Sequence, residues 1–157
     1  MADESKLCSC GKKGCLEVEA SLESAIDFIK EKLQKGEVSK LSKHIHHADK
    51  SQFLEALIQA YKQGDQLSIY AIKKIGYMLG KGIATLIHIL NPATVIISGT
   101  GSVFGSILLN EIQSSIHIYC IPRLSQRTNI EISDIKNIQP IASAGVAVTQ
   151  ADSLTKS

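Results

Sequence analysis

The sequence predicts an α/β fold in which a small parallel sheet is packed with helices. Two short β-branched runs, "TVIIS" at 94–98 and "NIEIS" at 129–133, read as strands. An amphipathic helical stretch separates them, and a long apolar-striped stretch precedes the first. Helix–strand–helix–strand–helix order implies a parallel pair joined by a right-handed crossover. A chain of 157 residues suits one domain, with about 70% of its unfolded surface buried.

From the amino end, Leu22, Ala25, Ile26, Ile29 and Leu33 recur with helical period, and Gly36 is a natural stop. Residues 37–50, "EVSKLSKHIHHADK", are polar and read as a loop or short helix. Ser51 is expected to cap a helix that buries Phe53, Leu54, Leu57, Ile58 and Tyr61. A longer helix is predicted from about Asp65 to Leu90, its apolar face built from Ile69, Ile72, Ile75, Leu79, Ile83, Leu86, Ile87 and Leu90. Gly76, Gly80 and Gly82 each weaken that helix by up to ~1 kcal/mol, and the usual compensation is close approach of a neighbouring element. Asn91-Pro92 ends it. "TVIIS" then reads as a buried strand. "GTGSVFG" turns into a helix over about Gly105–Tyr119 with Ile107, Leu108, Ile112, Ile116 and Ile118 inward. "NIEIS" alternates as a second strand, "IASAGVAVTQ" suits a packed helix, and "ADSLTKS" frays.

Bulk properties exclude several function classes. The formal net charge of +2 is too small to argue for nucleic-acid or membrane-surface binding. No apolar run approaches the ~20 residues of a membrane helix, and "MADESKLCSC" lacks an apolar signal core. A soluble, cytoplasmic chain with no membrane partner is expected.

Three of the four cysteines crowd into "LCSCGKKGCLE", residues 7–17. A disulfide, a reactive thiol or a metal would each explain the cluster. The disulfide is the weakest reading, because stable bridges are rare in the cytosol and Cys8 and Cys10 are too close to pair without strain. Redox catalysis lacks its CxxC spacing. Thiolates suit tetrahedral zinc, and Gly11 and Gly14 let the backbone turn sharply enough for Cys8, Cys10 and Cys15 to converge. Three unrelated surface thiols are the bland alternative. Structural zinc takes four ligands. His44, His46 and His47 could supply the fourth, although such a run is more often a solvated loop. Cys120 reads as a core thiol.

Glu17 follows the cluster. By spacing alone it is a helix-start carboxylate favoured by the helix dipole, while a pinned carboxylate could instead accept hydrogen bonds from sugar hydroxyls. "ISGTGSVFG" is a glycine-rich turn whose amides could face an anion, but it matches neither the Walker nor the full dinucleotide pattern.

"CSCGKKGCLEVEAS" resembles the CxCGxxGCxE signature of the ROK family, a group of bacterial repressors, open reading frames and sugar kinases. "LGKGIATLIHILNPATVIISGTG" resembles the family's long helix, Asn-Pro break, strand and glycine turn, and "ASAGVAV" its closing helix. The resemblance implies a ribonuclease-H-like, actin-like ATPase fold, of which residues 1–157 would form a single C-terminal lobe and residues 1–17 a zinc knuckle within it. It makes Cys8, Cys10 and Cys15 zinc ligands, completed in the family by an upstream histidine that is missing before Cys8 here. It assigns Glu17 to sugar hydroxyls, reversing the preference drawn from spacing.

The family's kinases need a phosphate-binding Asp-Gly turn and a catalytic aspartate from an N-terminal lobe. Neither is in this sequence, and Asp134 and Asp152 stand where no partner is offered, so no catalytic residue is assigned. Phosphoryl transfer requires nucleotide, metal and acceptor to be positioned together. Two readings follow. In the first, the chain is the sugar-sensing and dimerisation lobe of a transcriptional regulator of the N-acetylglucosamine or xylose repressor type. It would bind a sugar or sugar phosphate, self-associate, and meet DNA only through an absent N-terminal domain; "IYCIPRLSQRTNIEIS" favours this reading. In the second, it is the C-terminal lobe of a glucokinase or amino-sugar kinase using ATP and Mg²⁺, with Gly99, Thr100 and Gly101 beside the nucleotide.

Overall fold

A computed structural model describes residues 7–44 and 50–133, and the statements below concern those residues. The expected closing helix over 142–148, the tail from 151, His46, His47, Asp134 and Asp152 lie outside them.

The first elements are helical: α1 (Leu16–Glu19), α2 (Leu22–Gln34), a 3-10 turn at Lys40–Lys43 and α3 (Lys50–Lys62). Ser21 caps α2 through its side chain, which accepts from the Ser24 amide at 3.0 Å. Gly36, at φ +90°, stops α2 as the sequence anticipates. Ser51 corrects the expectation made for it: α3 begins one residue earlier, so Ser51 sits inside the first turn rather than capping it.

The central element is α4 (Gln66–Leu90), whose buried side chains include Leu67, Ala71, Ile72, Ile83 and Ile87. Asp65 caps it, and Asn91 closes it in the left-handed conformation at φ 44°. Asp65 is buried and fully engaged. Its carboxylate accepts from the Ser39 hydroxyl at 2.9 Å, the Lys40 amide at 3.0 Å, and the Ser68 amide and hydroxyl at 2.9 and 2.6 Å. Burial pushes the Asp65 pKa up, but these hydrogen bonds outweigh it and hold the group below its ordinary value. The network fastens the 3-10 turn to the start of α4.

After α4 come β1 (Thr94–Ile97), a second 3-10 turn (Thr100–Phe104), α5 (Gly105–Tyr119), α6 (Pro122–Ser125) and β2 (Asn129–Ile132). β1 and β2 pair in parallel with Thr94 opposite Asn129 and Ile97 opposite Ile132. Val95, Ile97, Ile130 and Ile132 pack against the core. The expectation of a buried β1 needs correcting, since Ile96 is 59% exposed. Helices cover one face of this two-stranded sheet, and the period-2 alternation turns Ile96 to the other. Leu86, Leu90 and Ile118, assigned inward, are also exposed, at 46%, 68% and 68%. They lie near the carboxyl ends of α4 and α5, where the expected apolar face outlasts its cover.

α4 and α5 pack closely where glycines replace side chains. A Cβ on Gly80 would stand 2.5 Å from the Ile112 carbonyl oxygen, and one on Gly76 would stand 2.9 Å from Glu111 Cβ. A Cβ on Gly82 would meet Leu16 Cδ2 of α1 at 2.5 Å. The three helix-weakening glycines are thus accounted for by the approach of α5 and α1.

Candidate functional site

The cysteine-bearing turn is built from its backbone. Leu7 bridges Lys13 in antiparallel fashion, the Cys8 amide donates to the Lys12 carbonyl at 2.8 Å, and the Gly11 amide to the Cys8 carbonyl at 2.9 Å. Gly11 and Gly14 sit at φ +80° and +77°, a region costly for residues with a Cβ. Their reversals bring the three sulfurs together: Cys8, Cys10 and Cys15 Sγ all lie within 4.8 Å of one another. Cys10 and Cys15 Sγ are 3.4 Å apart. Tetrahedral zinc at ~2.3 Å from each sulfur needs sulfurs roughly 3.8 Å apart, so the spacing fits such an ion with little adjustment. Cys8 is buried, Cys15 half-buried and Cys10 exposed. The three would hold one face of a metal and leave a position open for a further ligand. All four cysteines are free thiols.

The electrostatics of the turn distinguish its thiols. The Cys10 amide and then the Cys10 side chain hydrogen-bond Cys8 and hold its pKa below the ordinary thiol value. Cys15 is pushed up to about 11, chiefly because it donates to Cys10 and then to Cys8. Its thiol therefore keeps its proton near neutral pH in the metal-free chain. A metal must displace that proton to bind.

Cys15 is also the N-cap of α1, and Ala20 its C-cap. Ala20 lines a hollow of about 330 Å³ together with Leu22, Ile72, Leu79, Ile97 and Gly101. One helical turn thus links the thiol cluster to the hollow. Glu17 is exposed on that turn and stands outside the hollow's lining. Ser98, Gly101 and Ser102 contribute polar backbone and side-chain groups to an otherwise apolar wall. Gly99 takes φ +107°, Gly101 faces the hollow, and Thr100 begins the 3-10 turn between them.

The structure brings Cys8, Cys10 and Cys15 together and gathers Gly99, Thr100 and Gly101 at the end of β1. His44, one of the three histidines considered as a fourth ligand, ends the 3-10 turn at Lys40–Lys43 and falls outside the thiol cluster. Cys120 is buried in the core, as expected. Sequence reasoning missed the hollow itself, whose walls come from α2, α3, α4, β1, the 3-10 turn after it and α5. No local motif encodes such a convergence. It also missed α6, although Pro122 at its first turn was a legible signal.

The small parallel sheet, its helical cover and a three-thiol turn ahead of the first helix define an α/β protein with a candidate metal-binding turn. The chain belongs to the ROK family, whose family model matches residues 1–149. The glucokinase of Halalkalibacterium halodurans is 30% identical over 147 residues, covering 92% of this chain and 44% of that protein. The xylose repressor of Caldicellulosiruptor bescii is 30% identical, covering 83% of this chain and 32% of the repressor. The transcriptional repressor Mlc of Escherichia coli is 28% identical over 141 residues, covering 90% and 33%. A crystal structure of a ROK transcriptional regulator homologous to Mlc superposes with TM-score 0.72 at 30% identity, covering 84% of this chain and 32% of that one. A ROK glucokinase of Streptomyces griseus, solved with glucose and AMPPNP, shares the fold at TM-score 0.68 and 20% identity. The chain spans less than half the length of these proteins. Among the described residues no helix is long and apolar enough to cross a membrane.

Proposed function

We propose that the chain is the C-terminal lobe of a cytoplasmic ROK transcriptional regulator, the part that senses a sugar and self-associates, braced by structural zinc on Cys8, Cys10 and Cys15. The observation that carries this reading is the convergence of three sulfurs one helical turn from a hollow. Zinc bound there supplies folding free energy and pins the turn. The chain's own residues do the rest. Cys15 caps α1, Leu16 docks on Gly82 of α4, and α1 carries Glu17, whose carboxylate can accept hydrogen bonds from sugar hydroxyls. Sugar would act by differential affinity for two arrangements of the intact regulator, shifting the population that binds DNA through a separate domain.

Regulators among the relatives and a regulator structure superposing at 30% identity support this assignment, alongside glucokinases at 30% and 32% identity. Self-association is supported by the exposed apolar side chains Leu86, Ile89, Leu90, Ile118 and Ile121 near the ends of α4 and α5. Calorimetric titration of the 157-residue chain with glucose, xylose and N-acetylglucosamine tests the sensor. Binding of one sugar, abolished by Glu17→Ala, supports it; sugar heats unchanged by that substitution contradict it.

The second reading, the C-terminal lobe of a sugar kinase, rests on the glucokinase relatives and on the turn after β1, where Gly99, Thr100 and Gly101 would lie beside ATP and its Mg²⁺. Translation of the DNA upstream of Met1 separates the two. A helix-turn-helix there favours the regulator. An Asp-Gly phosphate turn with a catalytic aspartate, and no DNA-binding segment, favours the kinase.

A further inference from the structure

One outer face of α4 carries Tyr70, Lys73, Lys74, Tyr77 and Lys81, at helical spacings of three and four. This face is not the thiol cluster, and none of these five side chains lines the apolar hollow. Its aromatic rings are held in place. Phe28 of α2 stacks on Tyr70 with centroids 5.4 Å apart and planes 26° from parallel. Tyr77 meets Tyr119 of α5 edge-on at 5.8 Å, and their hydroxyls hydrogen-bond.

Lysine amines lie against these rings. Lys74 Nζ is 4.8 Å and Lys32 Nζ 5.7 Å from the Phe28 centroid, and Lys81 Nζ is 5.4 Å from that of Tyr119. Tyr70, 60% exposed, forms a ridge between two shallow hollows. One, of about 380 Å³, lies between Phe28, Lys32, Gln66 and Tyr70. The other, of about 400 Å³, lies between Tyr70, Lys73, Lys74, Tyr77 and Glu111.

We propose that this lysine–tyrosine stripe is a docking surface for an acidic, apolar-punctuated segment of a partner protein lying across α4. Lys32, Lys73, Lys74 and Lys81 face it against Glu37 and Glu111, with the Glu31–Lys35 ion pair beside Lys32 and Lys74, so the face keeps a net positive charge. Glu37 already pairs with Lys32 at 2.8 Å. Prepositioned rings lower the entropic cost of binding, and an aromatic body beside an ammonium accommodates an apolar side chain next to a carboxylate. From Tyr70 to Lys81 the stripe runs about 16 Å, the reach of roughly five extended residues. A nucleic acid fits less well, because the stripe offers lysines rather than the bidentate guanidinium fork that matches phosphate.

Fluorescence anisotropy on the intact 157-residue chain tests the surface. The probe is a labelled peptide of alternating glutamate and leucine, about ten residues long to overrun the stripe. A lysine–leucine peptide and a single-stranded DNA of matching length are the comparisons. The acidic peptide should bind more tightly than either. Lys73→Glu with Lys74→Glu should weaken it by about tenfold or more, and Tyr70→Ala by several-fold with every lysine retained. Arg123→Glu with Arg127→Glu makes the same charge change on exposed residues of α6 and the loop after it, outside both hollows, and should leave binding intact; circular dichroism should show every variant folded. Failure of the acidic peptide to bind, tighter binding of either comparison, or equal losses from the two charge reversals would overturn the proposal.

Discussion

Gly80→Ala should destabilise the protein even though alanine is the better helix former. The added Cβ would lie 2.5 Å from the Ile112 carbonyl oxygen and 2.6 Å from Ser115 Cβ. Ordinary contact begins near 3.4 Å, so the two helices must part by most of an ångström. The obstructing atoms are a backbone oxygen and a Cβ fixed to backbone, and neither can rotate away. Separation also stretches the hydrogen bond from the buried Ser115 hydroxyl to the Tyr77 carbonyl, 2.8 Å long. Alanine recovers up to ~1 kcal/mol of helix propensity. Overpacking costs about 1–3 kcal/mol, and a weakened buried hydrogen bond adds about 1 kcal/mol or more. The net loss is about 1–3 kcal/mol, a fall in Tm of roughly 2–12 °C for a chain of this size.

Gly82→Ala on the same helix is the control. Its Cβ meets the end of the Leu16 side chain, which is 41% exposed and free to turn aside. Its stability should stay within about 1 kcal/mol of the parent. Urea unfolding followed by circular dichroism measures both. A Gly80→Ala variant as stable as Gly82→Ala would refute the packing argument.

Leu108→Ala, fully inside the core, should cost about 2–5 kcal/mol in the same unfolding assay. Asp65→Ala should cost about 2–4 kcal/mol, because it removes the cap of α4 and strands the Ser39 and Ser68 hydroxyls. The folded pKa of Asp65 lies below its unfolded value. Its contribution is therefore full above the unfolded value of ~3.9 and is lost as pH falls through the folded one, so Asp65→Asn should flatten the acid limb of the stability profile. Leu90→Glu with Ile118→Glu should shift a self-associated chain toward monomer in sedimentation equilibrium, and an unchanged distribution would place the interface elsewhere.

Much of the fold was legible because its long elements obey one rule at a time. The apolar stripe and the Asn91-Pro92 break delimit α4 almost to the residue, and Asp65, taken as its approximate start, proves to be its cap. Gly105–Tyr119 is bounded as expected. What failed was burial. Hydrophobicity marks Leu86, Leu90, Ile96 and Ile118 as inward, but whether a neighbour covers them is decided by elements distant in sequence. The Ser39–Asp65–Ser68 network was invisible for the same reason, since Ser39 and Asp65 are brought together only by the tertiary fold. The cysteine turn was legible because spacing and glycines encode it locally. The hollow beyond it was not, because six elements share its walls.

Whether Cys8, Cys10 and Cys15 together hold a metal is decided by elemental analysis of the purified, dialysed 157-residue chain. At most one zinc per chain is expected, lost on Cys10→Ser or Cys15→Ser and retained on Cys120→Ser, whose sulfur is buried in the core away from the cluster. Zinc content unchanged by Cys10→Ser would contradict the assignment.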